Sequence, residues 1–386
     1  MFWVPVLVAW LQEPGGAVYG WEDRSGARIQ VRTLEGAQVA ALHLVVGTGG
    51  WAESRERHGF RHLLEHLVAL GPERDLDRKL EAVGGGLTAD THRDASHFRI
   101  WGPAKAMGTL VAALAELLRP PMLSEALIRR ELEVLREEEE LRDSESLAGG
   151  LLWQMAFGEA GLDPFGDLET VGGASPEQLQ GLWSALFAGR NLVLVACVPD
   201  RPQEWADEIR RRVSWPRGDR RASVQRREAR PFGWARSDRL VGEYRAAPVR
   251  GLDSEETAEA LAAALLLSSK LDGGRVLYTP SDLPSLVIVG ETRSSRRLAE
   301  AWQKALDGWR PADGAAAAQW AARWLESQLE DPLRAGLWYG VATVQGRASA
   351  PDDLLQRLRG LSSDAVRRGL ERFGADKAYL LTGEGR

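Results

Sequence analysis

In the run His62-Leu63-Leu64-Glu65-His66, two imidazoles stand four residues apart with a carboxylate just before the second. Only an α-helix gathers these three on one face, because side chains at i, i+3 and i+4 stack on successive turns. There, His62 and His66 can each offer a ring nitrogen to a single ion. Glu65 points slightly aside, where it can hold and deprotonate a water instead of ligating. The plainer reading is a pair of polar surface or satisfied core histidines, and the rest of the chain has to decide between the two.

A hydrolytic metal site needs a third protein ligand and a position left open for water. The acidic stretch from Glu131 to Glu140, in a helix expected to start after the N-cap residue Ser124, carries the candidates. Glu131 and Glu138 are seven residues apart, about two helical turns, so they share a face. One can ligate while the other supports it. Glu137, Glu139 and Glu140 read as a solvated charge run.

With these residues in place, the chain resembles the M16 zinc metallopeptidases, the family of pitrilysin, insulin-degrading enzyme and the mitochondrial processing peptidases. Gly59-Phe60-Arg61-His62-Leu63-Leu64-Glu65-His66 is similar to that family's inverted HxxEH element, and residues 47–53 to its Gly-rich turn and Glu. The segment from Glu131 to Glu138 resembles its E-x-x-V-V-x-x-E helix. The resemblance implies one Zn²⁺ per chain, held by His62, His66 and Glu138, with Glu131 in support and Glu65 as the catalytic base. Gly84-Gly85-Gly86-Leu87-Thr88-Ala89-Asp90-Thr91 resembles the family's GGxxNAxT strand, with Thr88 in place of Asn. By that likeness Gly86, Leu87, Thr88 and Ala89 bind an extended substrate through their backbone.

The second half repeats the order of the first. A strand at 37–46, the HxxEH helix, two strands within 86–101, several helices and a strand at 192–198 are echoed by a strand at 240–244, a helix at 255–271, a strand at 285–289, more helices, a helix at 364–373 and a strand at 378–382. Pro103 is expected in the first turn of a helix, and Ser175-Pro176-Glu177-Gln178 reads as a capping box. The expected class is α+β: two homologous domains, each an antiparallel-rich sheet packed with helices. A zinc domain at 21–213 and a metal-free domain at 237–386 are joined by an Arg-rich linker at 214–236. All six histidines lie between residues 43 and 97, so the second copy cannot build the same centre. In the resembling family such a copy contributes an Arg and a Tyr to substrate. The nearest counterparts are Arg275 and Tyr278, more tightly spaced than the family's, with a strand beside a turn as the alternative.

A net charge of −6 leaves no basic footprint for nucleic acid, and a single cysteine rules out an intrachain disulfide framework. Phe2 to Leu11 is apolar, too short to span a bilayer and about the length of a signal-peptide core, although no Lys or Arg precedes it. Residues 1–20 therefore read as a signal-like segment of an exported protein, with the cytoplasm as the alternative. The functional expectation is a zinc metalloendopeptidase acting on peptides or unfolded segments, working as a homodimer or with a related M16-like subunit. A non-catalytic assembly subunit that keeps the fold is the competing expectation.

Overall fold

Seven consecutive residues, Ala40 to Val46, are fully buried, the mark of a strand covered on both faces. They belong to β4 in the computed structural model, which describes residues 11–13, 16–47, 52–218, 227–281, 283–293 and 297–384. Residues 2–10 of the signal-like segment, 48–51 of the Gly-rich turn and 219–226 of the expected linker lie outside the described residues.

The first sheet comprises β1 (Leu11–Glu13), β2 (Gly16–Glu22), β3 (Arg28–Thr33), β4 (Val39–Gly47), β5 (Gly86–Thr91), β6 (Ala95–Pro103) and β7 (Leu192–Val198), in the order β1-β2-β3-β7-β4-β6-β5. The second comprises β8 (Trp234–Arg236), β9 (Val241–Val249), β10 (Gly274–Leu277), β11 (Ser285–Glu291) and β12 (Tyr379–Glu384), in the order β10-β11-β9-β12-β8.

Strand for strand, β3-β7-β4-β6-β5 matches β8-β12-β9-β11-β10. In each copy the first pair is parallel and the remaining pairs are antiparallel. The helix between β4 and β5 that carries HxxEH, Phe60–Ala69, corresponds to Glu255–Ser269 between β9 and β10. The duplication read from the sequence is thus visible in the pairing of the strands. Pro103 corrects one expectation: it ends β6, paired with Val39, and the next α-helix begins at Met107. Proline lacks the N–H a strand interior needs but is tolerated at a strand's end.

The compact units do not follow a simple division into halves. The first contains Met1–Arg136, Pro164–Val224 and Gln328–Ala348; the second contains Glu137–Asp163, Gln225–Ser327 and Ser349–Arg386. Two segments therefore stand in the other unit from the one a linear split assigns them. In the second unit, Ala148, Leu152, Trp153 and Ala156 of the helix Ser144–Phe157 share a core with Tyr244, Leu286, Ile288 and Tyr379.

In the first unit the helix Ala335–Val344 packs on β4 through glycines. A Cβ at Gly336 would lie 2.0 Å from His43 Cγ, and one at Gly340 would lie 2.5 Å from Val45 Cγ2. Beneath this helix runs a buried polar line. His43 Nε2 is 2.7 Å from the Pro332 carbonyl, and His43 Nδ1 is 2.9 Å from His97 Nε2. A carbonyl only accepts, so His43 carries its proton on Nε2 and accepts at Nδ1, and His97 must donate from Nε2. The lone pair of His97 is then on Nδ1. Burial, the dominant cause, pulls the His43 pKa down from 6.5 to about 4, and it holds His97 well below the ordinary value.

This packing sets opposite expectations for two helical glycines. A Cβ added at Gly149, inside the helix Ser144–Phe157, would meet nothing within 4 Å, so Gly149→Ala should raise stability by about 0.5–1 kcal/mol. Gly336→Ala should lower it by about 2 kcal/mol through overpacking against His43, as read by chemical denaturation. The buried histidine line also predicts a response to acid. His43 has a folded pKa below its unfolded one, so its contribution is complete above pH 6.5 and is lost as pH falls through about 4, a change on the order of 3 kcal/mol. Glutamine can still donate to Pro332 and accept from His97. His43→Gln should therefore make the loss of stability between those pH values shallower in chelator-treated protein.

Candidate metal centre

The helix Phe60–Ala69 buries Phe60, Leu63, Leu64, Leu67 and Val68 in the core of the first unit, and this burial fixes its rotation. Its start is held from outside. Glu53 accepts from the backbone N–H of Gly59 at 2.9 Å and of Arg61 at 2.7 Å, capping amides that have no partner within the helix. Burial raises the Glu53 pKa, opposed by the Arg61 guanidinium and these two amides. Gly59, at φ 98°, and Gly166, at φ 95°, meet so closely that a Cβ on Gly166 would lie 2.2 Å from Gly59 Cα. That contact brings the preceding Phe165 carbonyl to the helix.

One donor atom from each of His62, Glu65 and His66 lies within 4.8 Å of the others, and the two imidazoles stand edge-on with centroids 5.0 Å apart. His62 Nδ1 is 3.1 Å from the Phe165 carbonyl, so Nδ1 carries the proton and the lone pair is on Nε2. His66 Nδ1 faces the buried Glu131 carboxylate, 3.5 Å from Oε2. Anchoring one ring nitrogen on a carbonyl or carboxylate is how ligating histidines are oriented and made more basic. Glu65, buried, accepts a 2.5 Å hydrogen bond at Oε2 from the Thr91 hydroxyl. The donor set fits a zinc ion: two imidazoles anchored through Nδ1 and an adjacent carboxylate.

The structure brings Glu131 to His66. Glu138 stands two turns further along the same helix, Glu125–Glu140, within the stretch 137–163 of the second unit, and is not part of the close trio. The acidic run is not uniform. Glu139 is engaged by Arg142 at 3.1 Å and Arg239 at 2.9 Å. Ser124 accepts from the Leu127 amide at 3.2 Å, as an N-cap does.

Gly86, Leu87, Thr88 and Ala89 lie on β5, the last strand of the first sheet, which pairs with β6 on one side and has no strand on the other among the described residues. Arg275 is on β10, the last strand of the second sheet, with Nε 3.1 Å from Glu145 Oε1, and Tyr278 directly follows that strand. Sequence reasoning missed Phe165 and Thr91, the groups that orient His62 and Glu65. Phe165 acts through a backbone oxygen 103 residues away and leaves no side-chain signal. Thr91 could have been found, since it ends the strand beside the HxxEH helix. Missed as well were Asp90, His92 and His97, which share a face of the β5–β6 hairpin and form a second close donor trio.

The model of the Insulinase family, peptidase family M16, matches residues 28–159. The chain is 24% identical over 195 residues to a probable mitochondrial-processing peptidase subunit beta of Arabidopsis thaliana, covering 48% of this chain and 37% of that protein. It thus spans well under two-thirds of that relative. Among solved structures, a protease from Helicobacter pylori superposes with a TM-score of 0.78 at 15% identity, covering 95% of this chain and 99% of that one. A peptidase M16 inactive domain from Pseudomonas fluorescens superposes with a TM-score of 0.74 at 13% identity, covering 95% and 98%. At these identities the likeness to solved structures is one of fold. The likeness to peptidase family M16 thus covers the segment that holds both the HxxEH helix and Glu131, and the chain shares the fold of these solved structures along nearly its whole length.

Proposed function

We propose that the chain is a zinc-dependent metalloendopeptidase that hydrolyses peptides or unfolded polypeptide segments. The observation that carries this reading is the orientation of the two imidazoles, each with Nδ1 turned to a carbonyl or carboxylate, which assigns the ligating lone pair to Nε2. His62, His66 and Glu138 hold one Zn²⁺ at this centre, and Glu131 orients His66. Glu138 is supported by the family's helix pattern and by the commitment of Glu139 to Arg142 and Arg239. When bound, zinc supplies the Lewis acidity that polarises a scissile carbonyl and acidifies a water.

Glu65 takes the proton of that attacking water and delivers it to the leaving amine. The Thr91 hydroxyl holds Glu65 Oε2 and so fixes the direction in which the carboxylate presents itself. An extended peptide adds to the open edge of β5 at Gly86, Leu87, Thr88 and Ala89, so backbone bonding dominates and sequence preference is loose. Arg275 and Tyr278 of the metal-free copy are assigned to substrate contact in an assembly of two such chains, or of this chain with a related M16-like subunit. The apolar segment at residues 2–11 supports export. Among the described residues no helix is long and apolar enough to cross a membrane.

His62→Ala should lower bound zinc by one equivalent per chain, and no loss would refute the centre. Glu138→Gln should weaken zinc binding far more than Glu139→Gln; equal effects would mean that another residue is the third ligand. Glu65→Gln should keep zinc and fold while lowering peptide hydrolysis by roughly two orders of magnitude or more. If the zinc-loaded wild type turns over no member of a broad peptide library, alone or with related subunits, the chain is the non-catalytic partner instead. Light scattering should show a dimer, whereas a monomer with full activity would remove the assembly from the proposal.

A further inference from the structure

Strand alternation separates the two sides of the β5–β6 hairpin. Thr91 faces Glu65, so its neighbours Asp90 and His92 are directed to the opposite face. Asp90 is the direct cross-strand partner of His97, and the His92 amide closes the turn on the Ala95 carbonyl at 2.8 Å. One ligand atom from each of Asp90, His92 and His97 therefore lies within 4.8 Å of the other two, and none of them belongs to the HxxEH centre.

Two independent observations give this trio the character of a ligand site. Among the described residues, His92 Nε2 is buried with no hydrogen-bond partner, a state that ordinarily costs about 1–3 kcal/mol. The second is the line from Pro332 through His43, which occupies His97 Nε2 as a donor and leaves Nδ1 with its lone pair. A ligating imidazole whose other nitrogen is fixed by a hydrogen bond is the usual arrangement at a metal. Asp90 is exposed, so the trio is open to solvent.

We infer that Asp90, His92 and His97 form a second divalent-metal site, separate from the HxxEH centre, that takes zinc or a neighbouring first-row ion. Two imidazoles and one carboxylate suit Zn²⁺, Ni²⁺ or Cu²⁺ better than the all-oxygen preference of Mg²⁺ or Ca²⁺. Zinc–ligand distances of about 2.0–2.2 Å put the corners of a tetrahedron roughly 3.3 Å apart. Small rotations of the exposed Asp90 and of His92 bring the trio to that spacing, with water as the fourth ligand. An ion held here ties the end of β5 to β6. It therefore steadies the hairpin that presents Thr91 to Glu65 and offers its outer edge to substrate.

The test is zinc titration of the full-length, chelator-stripped chain, followed by calorimetry and by thermal melting. Wild type should take up about two equivalents. His62→Ala/His66→Ala should keep one, and its melting temperature should still rise with zinc. Asp90→Asn/His92→Gln should lose one of the two. Asp90→Asn alone, at an exposed position where folding is not at risk, should weaken the remaining site of the His62→Ala/His66→Ala background by about tenfold or more. The inference is overturned if the His62→Ala/His66→Ala protein binds no zinc, or if its binding is indifferent to Asp90 and His92. Failure of the HxxEH reading would look different: wild type would hold a single equivalent that follows Asp90 and His92 and survives loss of His62.

Discussion

The register of β5 against β6 is the constraint on which both faces of the centre depend. With Thr91 opposite Ser96 and Asp90 opposite His97, odd and even positions of one short hairpin are committed to different tasks. One face supplies the hydroxyl that holds Glu65; the other gathers imidazoles and a carboxylate. A slip of one residue would exchange the two sets and leave Glu65 without its donor. The register is secured by β6 lying between β5 and the fully buried β4, whose residues Ala40 to Val46 cannot be moved to solvent without exposing the core of the first unit.

Much of the centre was legible because helical spacing is rigid. His62, Glu65 and His66 were readable as one face, whereas periodicity placed Glu131 only on a face with Glu138, and its approach to His66 is a contact between two helices that spacing does not give. What was not legible depends on contacts distant in sequence. The Phe165 carbonyl reaches His62 only because Gly59 and Gly166 allow two backbones to meet, and a carbonyl has no residue signature. The alternation of Asp90 and His92 could be read directly, yet adding His97 to them requires the hairpin register. The central strands and helices of both copies could be read because hydrophobic runs and turn residues are local, while β2, β3 and β8 were not read. The exchange of residues 137–163 and 328–348 between units could not, because it is decided by which core each segment enters.

The two copies show how one topology is kept while its chemistry is replaced. In the first, the helix after the central strand carries His62, Glu65 and His66. In the second, the corresponding helix Glu255–Ser269 carries the buried Glu259, whose oxygens accept from Arg368 at 2.7 Å and Arg372 at 3.2 Å. A buried carboxylate between two guanidiniums is already neutralised and has nothing left to offer a cation. The buried Glu65 accepts from the Thr91 hydroxyl, which orients it. The partners that hold the carboxylate on this helix therefore differ between the two copies. The second copy keeps the sheet order β8-β12-β9-β11-β10 around a differently partnered helix.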